Sequence, residues 1–163
     1  MIKNRIQGAF HLLAILALCA SSAVHADDRS DVKDLINKYT NSQTLENMNT
    51  QAQLMASDRT YIANGTRYSN NEISMAIQTA NNAVTRKASP GMQRISTAED
   101  VHIRLNGGTA IVSFYLIMND INNAANIKAG QAAMTTIYAT VSMALFKIDG
   151  DWKIVHTHFS PTK

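Results

Sequence analysis

Between Asp31 and about Ala56 the apolar residues recur at steps of three and four: Val32, Leu35, Ile36 and Tyr39, then Leu45, Met48, Ala52 and Met55. That spacing predicts amphipathic helix, interrupted at "TNSQT", where Ser42 or Thr44 can cap a second helix. "RTYIANGTRYS" predicts two short strands about a tight turn, because Asn64-Gly65 supplies the positive backbone angles a hairpin needs. A third helix is expected from about Asn70 to Lys87, with Ile73, Ile77, Ala80 and Val84 on one face, ended by Pro90-Gly91. Beyond it the period changes to two. "MQRISTAEDVHIRLNG", bulged near Ala98, and "TAIVSFYLIMND" predict a strand pair turning at Gly107-Gly108. "INNAANIKAGQ" is expected as a polar loop, followed by the long strand "AMTTIYATVSMALFKI", a turn at Asp149-Gly150 and a last strand from Trp152 to Ser160. Three helices segregated against a curled antiparallel meander make an α+β domain, and the concavity of the sheet is where a ligand would bind.

The first 26 residues are set apart from this pattern. Lys3 and Arg5 precede an apolar run from Leu12 to Ala20 and then small residues, which predicts a secretory signal peptide cut after Ala26. A lipoprotein reading through Cys19 is weakened by the bulk of Leu18. Removing 26 of 163 residues leaves 137, enough for one domain, 27–163, with one core. The expected location is periplasmic or secreted. The remaining chain carries 13 Lys and Arg (15 less Lys3 and Arg5) against 12 Asp and Glu, so charge argues for neither nucleic acid nor, after cleavage, a membrane partner. The single cysteine, Cys19, leaves with the signal, so the exported chain has no disulfide.

Candidate chemistry gathers in "GDWKIVHTHFSPTK". On a regular strand Trp152, Ile154, His156, His158 and Ser160 share one face, with the two histidines roughly 6.5 to 7 Å apart. Facing the concavity, the pair could hold an anionic or carbonyl-bearing ligand or pass a proton near neutral pH; facing a wall, both would simply be hydrogen-bonded. With His102 the only other histidine of the exported chain, no ligand set for a metal is present, and neither a metal nor a cofactor is expected. In the longest strand Thr136, Tyr138, Thr140 and Ser142 share a face opposite Ile137, Val141 and Leu145. The phase of these strands stays open, because one bulge inverts it.

The element order, "LMASDRTYIANGTRYSNNE", and above all "LFKIDGDWKIVHTHFS" resemble the nuclear transport factor 2-like superfamily in its SnoaL-like branch, and are similar to bacterial relatives of the calcium/calmodulin-dependent kinase association domain. The resemblance implies a cone-shaped fold in which three N-terminal helices pack on the curved sheet, and back-to-back dimers. It does not imply one function. In the steroid-isomerase-like members a tyrosine of the first helix binds the substrate oxygen, and Tyr39 stands where it could do so. The carboxylate base of those members would fall at Ala63 or Asn64, so that proton shuttle is missing; Asp58 lies nearby, as an acid or as a turn residue. Two expectations follow. One is an exported domain that binds a small, largely apolar ligand in its cone, or assembles as a homodimer, with Trp152, His156, His158, Ser160, Tyr61 and Tyr115 lining the site. The other is an isomerase-, cyclase- or hydrolase-like enzyme using His156, His158, Tyr39 or Asp58.

Overall fold

A computed structural model describes residues 27–46 and 48–162. Residues 1–26, which include Cys19 and hold the expected signal peptide and its cleavage site, lie outside the described residues.

Helix α1 covers 27–42 and buries Asp28, Val32, Leu35, Ile36 and Tyr39 in one stripe, the face predicted by the apolar spacing. The second helix is far shorter than the periodicity suggests: α2 spans only Met48–Ala52. Strand β1 (Met55–Ala63) starts four residues earlier than expected and takes Met55 into the sheet. The tight turn at Asn64 and Gly65, with φ of 50° and 76°, joins it to β2 (Thr66–Tyr68). Helix α3 (Asn71–Ala88) is capped by Asn70, whose side chain accepts from the Ile73 N–H.

Strands β3 (Gln93–Asn106), β4 (Thr109–Ile121), β5 (Met134–Ile148) and β6 (Asp151–Pro161) form the expected meander. The polar connection between β4 and β5 is not wholly a loop. It holds one helical turn, α4 (Ala124–Lys128), capped by Asn123, while the Asn126 amide bonds the Pro90 carbonyl. The six strands are ordered β2-β1-β6-β5-β4-β3, so the small hairpin extends the meander through a parallel pairing of β1 with β6. The result is an α+β cone in which the helices close over a curved six-stranded sheet.

The core is the concave face. Alternate residues Ala110, Val112, Phe114, Leu116 and Met118 of β4 and Ala139, Val141, Met143 and Leu145 of β5 face α1 and are almost wholly buried. Each fully buried aliphatic side chain of this kind contributes roughly 1.5–3 kcal/mol. The narrow end is clasped by Trp152, whose indole N–H donates to Asp28 Oδ1 at 3.3 Å, while Lys147 Nζ donates to the same oxygen at 2.6 Å. That hydrogen bond raises the Lys147 pKa.

Two register shifts decide what the cone contains. Along β6, Ile154 opposes Leu145 and His156 opposes Ala144, so Val155 is an extra residue. A bulge of this kind reverses the in–out alternation beyond it. Along β1, Met55 pairs with Ile154 but Thr60 with His156, so β1 bows where Arg59 enters the interior. A third bulge lies in β3 between Glu99 and His102, with Asp100 at φ 51°, a few residues beyond the expected Ala98.

Candidate ligand-binding site

The open end of the cone lies where the C-terminal halves of β1, β4 and β6 and the start of β3 meet the middle of α3. Gln43, Met48, Tyr61, Gln78, Asn81, Asn82, Arg94, Met118 and Phe159 enclose a cavity of about 180 Å³. A second cavity of about 300 Å³, between the β1–β2 hairpin and α3, shares Tyr61, Gln78 and Asn81 with it. The two form one cleft around the Tyr61 ring. Its walls combine ring and thioether surfaces with side-chain amides, the mixture typical of sites that hold small organic ligands. Tyr61 is fixed by stacking on Tyr68, with ring centroids 5.9 Å apart and 22° between planes.

Directly behind Tyr61 lies Arg59, which is wholly buried (0% exposed). Its guanidinium lies 4.7 Å from the centre of the Tyr61 ring. Nη1 donates to Asn71 Oδ1 at 3.3 Å and touches the sulfurs of Met55 and Met75. Nε and Nη2 have no hydrogen-bond partner among the described residues, and no carboxylate there forms an ion pair with Arg59. Burial lowers the Arg59 pKa, and the neighbouring Tyr39 and Tyr61 push the other way. Burial likewise raises the phenol pKa values of Tyr39 and Tyr61, so both rings stay protonated donors at neutral pH. Among the described residues, the other buried side-chain polar atoms without partners are Gln43 Oε1, Gln51 Oε1 and Thr157 Oγ1. Thr157 pairs with Tyr61 across β6 and β1, Gln51 donates to the Tyr39 carbonyl, and Gln43 lines the cleft. Unmet hydrogen-bonding capacity is thus concentrated on one side of the cone.

The sequence-predicted candidates do not converge there. Beyond the Val155 bulge it is Thr157 and Phe159 that face inward. His156, His158 and Ser160 stand opposite Ala144, Ser142 and Thr140 on the convex face. The expectation that Trp152, Ile154, His156, His158 and Ser160 share one face is therefore corrected. Tyr115, opposite Glu99 and Thr140, is also convex and half exposed. Trp152 is buried in the clasp at the narrow end, and Asp58 is exposed on β1, within the strand instead of at its junction. Of the candidates only Tyr61 lines the cleft, while Tyr39 is buried in the core, within electrostatic reach of Arg59 and Tyr61. Withdrawal from water, then His158 and Arg59, lower the His156 pKa.

Arg59 escaped notice in the sequence, although one signal was available: Arg59, Tyr61 and Ala63 alternate on the strand face that carries the core. Among the described residues no group of three His, Cys, Asp or Glu side chains is gathered as a metal site, and no helix is long and apolar enough to cross a membrane.

The chain and its fold match a known family. A family model for the SnoaL-like domain matches residues 32–163, and the chain belongs to that family. No curated protein sequence matches it significantly. Among solved structures it is similar to a nuclear transport factor 2-like protein with a cystatin-like fold from Novosphingobium aromaticivorans. That likeness has a TM-score of 0.70 and 13% identity over 89% of this chain and 88% of the other. A protein provisionally named a scytalone dehydratase, from the same species, is similar at TM-score 0.70 and 10% identity, covering 87% and 89%. A protein provisionally named a calcium/calmodulin-dependent protein kinase II association domain, from Xanthomonas campestris, is similar at TM-score 0.62 and 16% identity, covering 80% and 85%. At these identities the likeness establishes the cone fold and no activity.

Proposed function

We propose that the chain is an exported SnoaL-like domain that binds one small organic molecule in the open end of its cone. The observation that carries this reading is the cleft around Tyr61, in which Phe159, Met118 and Met48 supply apolar surface and Gln78, Asn81 and Asn82 supply amides. Binding is favoured over turnover by the lining itself. The dehydratase names given to two structural neighbours would call for an acid and a base beside the substrate, whereas the cleft-lining residues include no histidine and no carboxylate. Export is supported by the basic start and apolar run of residues 3–20. Native mass spectrometry of protein purified without refolding tests the reading. One small molecule per chain, released on denaturation, is the expected result. A bare chain whose Tyr61 and Phe159 signals respond to no small aromatic or aliphatic probe would contradict it.

A second reading, self-association through the convex face, is favoured by one observation. The outward residues of β4 and β5 include Tyr115, Ile117, Tyr138 and Ser142 and no Lys, Arg, Asp or Glu, while Glu99 and Arg104 on β3 and Asp151 and Lys153 on β6 lie at the margin. An uncharged centre with a charged rim suits the core of a subunit interface. The partner is a second copy of this chain. Sedimentation analysis should show a dimer that Tyr115→Arg converts to monomer; a wild-type monomer at micromolar concentration would rule this out.

A further inference from the structure

We infer that the free Nε/Nη2 edge of Arg59 receives the carboxylate of the ligand, which makes the cone a site for a small organic acid with a ring-sized apolar body. This rests on the reading of the cone as a small-molecule site and names the class of molecule it takes.

The edge in question is the one that pairs with carboxylates side-on. Arg94 shows it in this molecule: its Nε and Nη2 meet Asp120 Oδ1 and Oδ2 at 2.7 and 2.8 Å. In Arg59 the same two nitrogens are buried and without a partner among the described residues. Two parallel N–H donors match a planar, two-oxygen acceptor better than a single oxygen or a tetrahedral anion. Holding a guanidinium out of water without a counterion costs several kcal/mol, a cost that binding of an anion would offset.

The surroundings select the rest of the ligand. The Tyr61 ring links the guanidinium to the cleft, since it both lies against Arg59 and lines the two cavities. Binding at Arg59 requires that ring to rotate away from Tyr68. Phe159, Met118 and Met48 then flank the body of the ligand, and the unpartnered Thr157 Oγ1, paired in register with Tyr61, lies on the same wall. Inorganic anions lack the apolar body that these side chains would cover.

The test titrates isotope-labelled full chain with benzoate and, separately, with benzyl alcohol, following the Arg59 Nε–H and the amides of Tyr61 and Phe159. The expected result is at least tenfold tighter binding of benzoate, a displaced Arg59 Nε–H signal, and loss of that preference in Arg59→Met with benzyl alcohol binding retained. Equal affinity for the two probes, or a preference that survives in Arg59→Met, overturns the carboxylate assignment and leaves the small-molecule reading standing. No response at Tyr61 and Phe159 to either probe overturns both. Should Arg59→Met fail to fold, Arg59→Gln, which keeps a polar group without the charge, gives the same comparison.

Discussion

Arg94 and Arg59 both point into the cone of one sheet, near its open end, and the protein treats them in opposite ways. Arg94 lies directly across from Asp120 on the neighbouring antiparallel strand, and the two make a bidentate ion pair with side chains 14% and 11% exposed. Arg59 is more deeply buried, yet it is offered one amide oxygen, two thioether sulfurs and the face of a tyrosine. A partly buried pair with both hydrogen bonds made is self-sufficient and serves as wall. An unpaired buried charge is a cost that folding alone gives no reason to retain. The contrast separates a structural arginine from one kept for something that arrives from outside.

Removing the partner of the first arginine should have the largest effect. Asp120→Ala leaves Arg94 largely buried and unpaired, and should destabilise the protein by about 2–3 kcal/mol, somewhat below the range for fully buried pairs because both groups touch solvent; urea unfolding measures it. Supplying a partner to the second arginine should move stability the other way. Asn71→Asp places a carboxylate at the position that already accepts from Arg59, at the first residue of α3, where negative charge is favourable. It should stabilise by about 1 kcal/mol even after losing the 3.3 Å bond from Asn71 to the Ala52 carbonyl, and it should weaken benzoate binding by acting as a resident counterion. Thr157→Val removes a buried hydroxyl oxygen that has no partner; thermal unfolding should show no loss, or a gain of about 0.5 kcal/mol. The smallest effect concerns pH. Because His156 has a lowered pKa, the unfolded chain takes up its proton first as the pH falls below about 6.5. This contribution to stability is therefore complete above that pH and is lost as the pH falls towards the lowered folded value. His156→Gln should flatten the slope of melting temperature between pH 7.5 and 5 while leaving ligand binding in the cone unchanged.

Much of the fold was legible in the chain because its elements declare themselves locally. The stripe from Val32 to Tyr39, the Asn64-Gly65 and Asp149-Gly150 turns and the period-two run of β4 each need only a few neighbouring residues to be understood. What could not be read are relations between strands. The parallel pairing of β1 with β6 joins segments about a hundred residues apart and leaves no local mark. The apolar spacing overstates α2 because Leu45 and Met55 continue a helical period by coincidence while belonging to a bend and a strand. The candidate site was lost at Val155. There the apolar positions change phase, from Trp152 and Ile154 to Thr157 and Phe159, and that change is itself the trace of a bulge; reading the strand as regular carried the histidines to the wrong side. Arg59 was obscured for a related reason, since its burial follows from the bow in β1 and not from any motif.

The most direct test of the account is the unfolding free energy of Arg59→Met, measured beside the wild type after any co-purified small molecule has been removed. If Arg59 is retained to receive a ligand, replacing a buried unpaired charge with an apolar side chain of similar length should leave the empty protein at least as stable, and up to about 2 kcal/mol more so. A loss of about 3 kcal/mol or more would contradict the account, because it would mean that Asn71, the two sulfurs and the Tyr61 ring already satisfy Arg59 and that this arginine holds the cone together.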